Sequence, residues 1–283
     1  MNKVFIVTDS TADLPEELCQ AYGISVVPLK VIFPGCAPLL DGVDIDAGEF
    51  YRRLVENREL SSTSQPTPAE FATTYLRLQA AGGSIISIHI SSAMSGTCQS
   101  ARMGKAMVPG TDIEVIDSKS VSMGLGELVL AAARAARAGK SKQEILELIY
   151  GLIPKINVYF IVDSLDYLAR GGRIGKARAF LGTILNIKPL LYLKDGIVCP
   201  YEKLRGRAKA MERLVQVVQE HTGGKAIKYA LVHGNDPAGV KQLRQKMNEK
   251  FSDDSVISSL GSVVGTHAGP GVLGVVFYVQ ENE

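Results

Sequence analysis

The sequence contains no tryptophan, and aromatic residues make up only 6% of its 283 positions. This scarcity argues against a stacking platform for nucleic-acid bases or sugars. Cysteine is scarce as well, and the spacing of the thiols fits neither a disulfide framework nor a Cys-x-x-Cys metal site. The four are Cys19, Cys36, Cys98 and Cys199. Such spacing is typical of a reducing compartment, so we expect a cytoplasmic protein without a bound metal.

Long apolar runs are missing too. The most apolar stretch, residues 128–138, is interrupted by Arg134 and Arg137 and falls short of the ~18 residues of a membrane span. No signal peptide is expected from the first residues. With 31 Lys and Arg against 29 Asp and Glu, the net charge is +2, which gives no reason to expect a nucleic-acid partner. Hydrophobic residues at 46% are typical of a globular protein with an ample core.

Strand patterns alternate with helix patterns through the first half of the chain. Strands are predicted at residues 4–7, 25–33, 84–90 and 113–116, with helices between them. This alternation is typical of α/β proteins, in which parallel strands are joined by helices. We therefore predict an α/β domain with a doubly wound, mostly parallel sheet over residues 1–156.

From residue 157 onward, strands and turns follow one another more closely. The segment Lys194-Asp195-Gly196 separates two short apolar runs and predicts a hairpin. The last two strands are predicted at residues 255–262 and 272–280. We therefore predict a second α/β domain over residues 157–283, with a mixed sheet and helices.

Polar turns adjoin the predicted strands at three places in the first half. The segment Thr63-Ser64-Gln65-Pro66-Thr67-Pro68 places hydroxyls and free N–H groups at a helix N-terminus, where an anion is favoured. Ser95 and Gly96 lie where a strand runs into the next helix, and Asp117-Ser118 repeats the arrangement. Ligands of α/β proteins bind at this edge of the sheet, so we predict a shared crevice. For each turn taken alone, an ordinary helix cap is the alternative.

Residues 265–271, Gly-Thr-His-Ala-Gly-Pro-Gly, are predicted to form a loop between the last two strands. Glycine permits positive φ and a close approach of the backbone to a ligand. His267 is the histidine in this loop, and we predict that it contacts a ligand. A hydrogen-bonding role without a ligand is the alternative.

Basic residues concentrate between positions 168 and 213. Eleven Lys and Arg stand against three Asp and Glu there, a local charge of +8. Several of them flank glycine and proline turns and do not follow one helix. This placement favours contact with a phosphate or an acidic partner surface, with a solvated face as the alternative.

Seven short blocks resemble the DegV family, the fatty-acid-binding proteins that serve bacterial fatty acid kinase. In chain order they are Asp9-Ser10-Thr11-Ala12-Asp13-Leu14, Thr63-Ser64-Gln65-Pro66, Ser95-Gly96-Thr97 with Gln99-Ser100-Ala101, Asp117-Ser118, Gly171-Gly172-Arg173-Ile174, Ile187-Lys188-Pro189, and Gly265-Thr266-His267 with Gly269-Pro270-Gly271. The sequence departs from the family pattern at Arg170, Cys98 and Ala268, where Lys, an aromatic residue and Thr are frequent. Ala268 lacks a hydroxyl near the expected head group of the ligand.

The resemblance implies two α/β domains with one long-chain fatty acid, such as palmitate, stearate or oleate, buried between them. In such proteins, hydroxyls matching Thr63 and Ser95 hold the carboxylate. We expect four further residues near this head group: Ser64, Gly96, Ser118 and His267. The resemblance implies no cofactor and no catalytic residue in this chain.

The resemblance also implies a protein partner. In such proteins a separate ATP-dependent fatty acid kinase phosphorylates the bound carboxylate, and the carrier takes the acyl phosphate toward phospholipid synthesis. Transient contact with a membrane surface fits this role. We expect Arg173, Lys188 and Arg205 to contact the phosphate or the kinase from outside the apolar tunnel.

Other classes of protein are alternatives. A serine hydrolase acting on a lipid or ester would use Ser95 and His267, but Ala93 and Thr97 fill the glycine positions of a nucleophile elbow. A kinase acting alone would need a phosphate-binding loop. Residues 269–274 match Gly-x-Gly-x-x-Gly, but a strand pattern follows them where a dinucleotide site needs a helix. For a DNA-binding protein, the sequence offers no pattern of a recognition helix.

Overall fold

The structure, a computed structural model, describes residues 3–56, 60–182, 187–252 and 255–280. Its first half contains β1 (Val4–Asp9), α1 (Glu16–Tyr22), β2 (Ser25–Val27), β3 (Lys30–Ile32), β4 (Leu39–Leu40), α2 (Ala47–Glu56), β5 (Ser62–Ser64), α3 (Pro68–Ala80), β6 (Ser84–His89), α4 (Thr97–Ala106), β7 (Ile113–Asp117), α5 (Met123–Arg137) and α6 (Lys142–Leu152).

The second half contains β8 (Asn157–Ile161), α7 (Asp166–Arg170), β9 (Ile187–Lys194), β10 (Ile197–Arg205), α8 (Arg207–Thr222), β11 (Ile227–His233), α9 (Pro237–Asn248), β12 (Val256–Ser259), α10 (Ser262–Ala268) and β13 (Leu273–Val279). Short 3₁₀ turns occur at Ser10–Ala12, Ile153–Lys155 and Gly175–Phe180. No helix in the described part of the chain is long and apolar enough to cross a membrane.

A parallel sheet forms the centre of the first half, in the strand order β2-β1-β6-β7. Every residue of β6 is buried, because helices cover both faces of the sheet. Ile86 and Ile88 pack with residues of α5 on one face, and Ile85 packs with Phe71 and Tyr75 of α3 on the other. The predicted parallel α/β sheet is confirmed.

A small antiparallel sheet, β4-β3-β5, lies beside the parallel one. The sequence predicted a single strand over residues 25–33, and this prediction is wrong. The segment forms two strands, β2 and β3, in different sheets. Pro28 lies between them, and proline has no N–H for a sheet ladder and restricts the residue before it. The N–H of Leu29 donates instead to Ser10 Oγ at 3.1 Å.

A six-stranded mixed sheet, β10-β9-β8-β13-β11-β12, forms the second half. Only the β11–β12 pair is parallel within the described residues. The predicted hairpin joins β9 to β10, where Lys194 pairs with Ile197. Asp195 and Gly196 both have positive φ, 52° and 76°, as a two-residue hairpin turn with the twist of its strands requires.

One buried hydrophobic cluster includes residues of both halves. Helices α8 and α9 cover one face of the mixed sheet, with Leu214, Leu243 and Phe277 buried there. The opposite face turns toward α5, so that Val158 and Val276 belong to the same buried cluster as Leu128. Burial of apolar area at this contact favours a fixed arrangement of the two halves.

The loop predicted over residues 265–271 is wrong for its first four residues, and only residues 269–271 lie in a turn between helix and strand. Residues Ser262–Ala268 form the short helix α10, so His267 lies in a last helical turn. The strand predicted over residues 255–262 accordingly ends at Ser259. Gly269 ends the helix with a φ of 78°, and its N–H donates to the Gly265 carbonyl at 2.8 Å.

Packing explains why this helix forms against its local propensity. Glycine and β-branched residues are poor helix formers, and α10 contains Val263, Val264 and Gly265. Gly265 is buried against the rings of Phe50 and Tyr51 of α2, where a Cβ at 265 would come within 2.8 Å of the Tyr51 hydroxyl. Contacts from the first half of the chain therefore determine the conformation of this segment.

Candidate functional site

A cavity of about 510 Å³ lies between the two halves. This volume falls in the range of ~300–1,000 Å³ typical of small-molecule sites. Most of its wall is apolar, and both halves contribute to it: Leu29, Ile90 and Val121 from the first, and Val158, Leu193 and Val276 from the second. Such a wall suits the hydrocarbon part of a ligand.

Polar residues from three separate segments line one part of this cavity. They are Thr63 and Ser64 of β5, Ser95 of the turn before α4, and His267 of α10. The structure therefore brings together four of the residues that the sequence predicted for a shared site. Ser64 is exposed, whereas Thr63, Ser95 and His267 are half-buried.

Thr63 and His267 are in direct contact. The Thr63 hydroxyl is hydrogen-bonded to His267 Nε2 at 2.8 Å. Burial and, to a smaller extent, the positive charge of Arg173 lower the pKa of His267 to about 4. At neutral pH the imidazole is therefore uncharged and can accept or donate at Nε2 according to its tautomer.

Gly171 holds the other side of the imidazole. Its backbone packs so closely on His267 that a Cβ at this position would collide with Nδ1. Within the described residues, Nδ1 is buried without a hydrogen-bond partner. Glycine at position 171 therefore allows α7 to approach α10, and this approach keeps the ring directed at Thr63.

The turn before α4 is fixed by hydrogen bonds of its own. Ser95 Oγ is hydrogen-bonded to Thr97 Oγ1 at 2.8 Å and accepts from the Thr97 N–H at 3.3 Å. Gly96 is the N-cap of α4, and a Cβ there would collide with the side-chain amide of Gln65. Gln65 Nε2 in turn donates to Ser100 Oγ at 3.0 Å. The Ser95 turn and the segment after β5 therefore form one polar wall.

Arg173 lies at the edge of the cavity, although the sequence led us to expect it outside the tunnel. Its Nε donates to the Met94 carbonyl at 3.0 Å, and its Nη1 donates to the Gly171 carbonyl at 2.6 Å. Because Arg173 is exposed and also lines the cavity, it marks the place where the cavity meets solvent. Its charge therefore lies close to the polar wall.

The other predicted residues lie away from the cavity wall as described. Lys188 Nζ forms an ion pair with Asp163 Oδ1 at 2.7 Å, and Arg207 Nη1 contacts the same oxygen at 3.0 Å. Arg205 is exposed at the end of β10. Ser118 is buried in a turn, where its hydroxyl donates to the Ser120 carbonyl at 3.2 Å.

Sequence reasoning did not single out several residues that shape the site. Gln65 and Ser100 belong to the short segments that resemble the DegV family, but the sequence predicted no role for either side chain. Gly171 was noted only as part of a glycine turn. Asp13 and Asp41 accept hydrogen bonds from the start of α10, although they lie more than 200 positions before it. No local pattern in the sequence predicts contacts between residues so far apart in the chain.

Ser95 and His267, the pair that a serine hydrolase would use, are not hydrogen-bonded to each other. Ser95 is hydrogen-bonded to Thr97, whereas His267 is bonded to Thr63. A Ser–His–Asp chain occurs elsewhere: Ser87 Oγ lies 2.6 Å from His89 Nε2, and His89 Nδ1 lies 2.9 Å from Asp9 Oδ2. All three side chains are fully buried, so a substrate cannot reach them.

Two packed α/β halves enclose an apolar cavity with a wall of hydroxyl groups, an arrangement typical of small-molecule sites. The family model described as an uncharacterised protein of the DegV family matches residues 3–280. The chain belongs to the DegV family.

Known members are similar over nearly the whole chain. A DegV domain-containing protein of Caldanaerobacter subterraneus is 40% identical, and the match covers 98% of this chain and 99% of that one. A Thermus thermophilus structure described as fatty acid binding of a DegV family protein has a TM-score of 0.92 at 36% identity, with 98% and 100% covered. DegV from Bacillus subtilis, described as a fatty acid binding protein, has a TM-score of 0.90 at 32% identity, with 99% and 100% covered.

Proposed function

We propose that the protein binds one long-chain fatty acid in the cavity, with the carboxylate against Thr63 and Ser95. The observation that carries this proposal is the apolar cavity with hydroxyl groups from two segments on one wall. The description of the related Thermus and Bacillus structures as fatty acid binding supports it. The two domains of such a carrier would be residues 1–156 and 157–283.

The apolar wall supplies most of the proposed affinity. Burial contributes ~0.8 kcal/mol per methylene, or roughly 12 kcal/mol before costs for a palmitoyl-length chain. The ordering of the chain and the loss of its free motion offset part of this gain. The hydroxyl groups would then determine where the carboxylate lies.

Neutral His267 supports a donating hydroxyl at Thr63. If His267 Nε2 carries the proton and donates to Thr63 Oγ1, the Thr63 hydrogen is free to point at the carboxylate. Gly96 is the N-cap of the ten-residue helix α4, and the N-terminus of a helix carries a positive partial charge. This charge lies next to Ser95 and would favour the carboxylate in this proposal. Ser64 and Arg173 at the mouth complete the polar surroundings in this proposal.

We further propose that the bound carboxylate is phosphorylated by a separate ATP-dependent kinase and that the protein carries the acyl phosphate toward phospholipid synthesis. Arg173 lies beside the polar wall, where a transferred phosphate would need positive charge. Exposed Arg205 and the ion-paired Lys188 are the proposed contacts of the kinase surface. Transient contact with a membrane surface and a cytoplasmic location fit this role.

The ligand proposal is tested by uptake. Delipidated protein is titrated with palmitate or oleate, and saturation at one molecule per chain is the expected result. Val121→Phe, which fills part of the cavity wall, should reduce uptake, whereas Val43→Phe at an exposed position should not. Equal uptake by both variants would place the fatty acid elsewhere.

The kinase proposal has its own test. Loaded protein is mixed with ATP and a bacterial fatty acid kinase, and acyl phosphate is trapped with hydroxylamine. Formation of an acyl hydroxamate that depends on both proteins is the expected result. Fatty acid that stays unmodified with a kinase that is active on another DegV protein would contradict this part of the proposal.

A further inference from the structure

The start of α10 is held by two carboxylates from the first half of the chain. Asp13 Oδ1 accepts from the Gly261 N–H at 2.9 Å. Asp41 Oδ1 accepts from the Ser262 N–H at 2.9 Å and from the Ser262 hydroxyl at 2.7 Å. Gly261 fits tightly here, since a Cβ would lie 3.0 Å from Asp13 Oδ1. We call Asp13 and Asp41 the carboxylate pair.

The carboxylate pair fixes the helix that carries His267. Helix α10 has seven residues and is therefore about 10 Å long, so a shift at its start is carried to its last turn. The His267–Thr63 hydrogen bond of 2.8 Å does not survive a displacement of about 1 Å. The hydrogen bond between Ser61 and Thr266, also 2.8 Å, joins the same turn to the residue before β5.

We propose that Asp13 and Asp41 are positioning residues of the fatty-acid site, which hold His267 against Thr63 by accepting the hydrogen bonds of the first residues of α10. This inference rests on the proposed function. It assigns no contact between the carboxylate pair and the ligand, because both side chains act through α10.

The groups around Asp13 and Asp41 make their hold on α10 depend on whether these carboxyl groups are protonated. Asp9, at the end of β1, is a third carboxylate whose charge acts on both members of the pair, and it is hydrogen-bonded to His89 of β6. The Tyr51 hydroxyl of α2 faces the pair as well. Among the described residues, no Lys or Arg forms an ion pair with Asp13 or Asp41. The charge of one carboxylate therefore opposes that of the other.

Burial raises the pKa of Asp13 well above its usual value, and the charges of Asp41 and Asp9 raise it further, against the Ser122 hydroxyl and the Gly261 N–H. Burial also raises the pKa of Asp41, against hydrogen bonds from Ser262 and Ser10. A raised carboxyl pKa favours the ordered arrangement at low pH and disfavours it as pH rises toward that pKa. Fatty acid retention should therefore fall as the pH rises.

The first test measures the release of a fluorescent long-chain fatty acid into excess oleate across mildly acidic to mildly alkaline pH. Release from the wild type should become faster with pH, by at most tenfold per pH unit for one proton. Asp13→Asn keeps the oxygen that accepts from Gly261 but cannot titrate, so its release should depend on pH less steeply than in the wild type, and the remaining dependence is assigned to Asp41. Asp46→Asn is the control, since Asp46 caps α2 at an exposed position and should follow the wild type.

The second test asks whether the pair acts through His267. Asp13→Ala should release the ligand about tenfold faster in the wild-type background and no faster in a His267→Ala background. If Asp13→Ala fails to fold, the pH profile of Asp13→Asn decides alone. Additive effects, or a wild-type pH profile in Asp13→Asn, would overturn the inference.

A ligand-free readout separates this inference from the proposed function. The pKa of His267, measured from its ring signals in an NMR titration, should move toward an ordinary histidine value in Asp41→Ala, because the ring becomes less buried. Wild-type protein that takes up no fatty acid would refute the proposed function alone. An unchanged His267 titration in Asp41→Ala would refute the positioning role alone.

Discussion

Thr63→Val is the sharpest test of where the carboxylate lies. The change removes a hydroxyl and keeps a β-branched side chain in β5. In the proposed complex, this hydroxyl donates one hydrogen bond to a charged group, which is worth ~1.5–3 kcal/mol. At 1.4 kcal/mol per decade, we expect a loss of fatty acid affinity of about 10- to 100-fold.

The structure shows why Thr63 is a cleaner probe than Ser95. Ser95 Oγ also accepts from the Thr97 N–H, so Ser95→Ala weakens the start of α4 together with any ligand contact. Thr63 is half-buried, and its side-chain hydrogen bond joins it to His267 alone among the described residues. Its substitution also removes the hydrogen bond to His267, so a loss of stability of ~1–3 kcal/mol is expected, without a change at the start of a helix.

Affinity is measured by calorimetry on delipidated protein, with urea unfolding on the same preparations. Thr73→Val is the matched control, because Thr73 is exposed on α3 and donates to the Ala69 carbonyl of its own helix at 2.9 Å. It should bind fatty acid as the wild type does. Unchanged affinity in Thr63→Val would show that the carboxylate lies elsewhere.

Further predictions concern the residues around the polar wall. Gly171→Ala should displace His267 and weaken fatty acid binding about tenfold by calorimetry, whereas Gly151→Ala, with open space around its Cβ, should bind normally; normal binding by both would remove Gly171 from the site. Because the His267 pKa is lowered to about 4, the unfolded state takes up a proton first, and urea unfolding should show stability falling between about pH 6.5 and 4. The His267→Asn variant should lose that part of the slope, and an unchanged slope would assign it to other groups. Arg205→Ala should keep fatty acid affinity within about twofold and lower acyl-phosphate formation about tenfold, more so at low salt. Arg173→Ala should affect both quantities, because Arg173 borders the cavity; a variant that affects neither would contradict its placement in the site.

Much of the fold could be predicted because its signals are local. Short apolar runs and the turn residues between them indicated the parallel sheet, whose strand β6 is buried on both faces. The Asp195-Gly196 turn predicted its hairpin because few residues adopt positive φ twice in succession. The polar turns at Thr63 and Ser95 were predicted to share a site, and they line the same cavity.

The remaining features depend on distant contacts. Helix α10 forms because it packs on α2. Its own glycines and valines do not predict a helix. The contact between Asp13 and Gly261 joins positions 248 residues apart. The break at Pro28 was visible, but the choice of a second sheet for β3 depends on its pairing with β5. Arg173 was predicted to contact the phosphate or the kinase, and its sequence neighbours alone do not show that its side chain also lines the cavity.

The central claim is that the cavity holds a long-chain fatty acid. The most direct measurement is mass spectrometry of the lipid extracted from the purified, denatured protein, with the amount of lipid compared with the amount of protein. The account predicts close to one saturated or monounsaturated long-chain fatty acid per chain. Repeated extraction without stoichiometric lipid, together with no uptake of palmitate or oleate by the native protein, would contradict it.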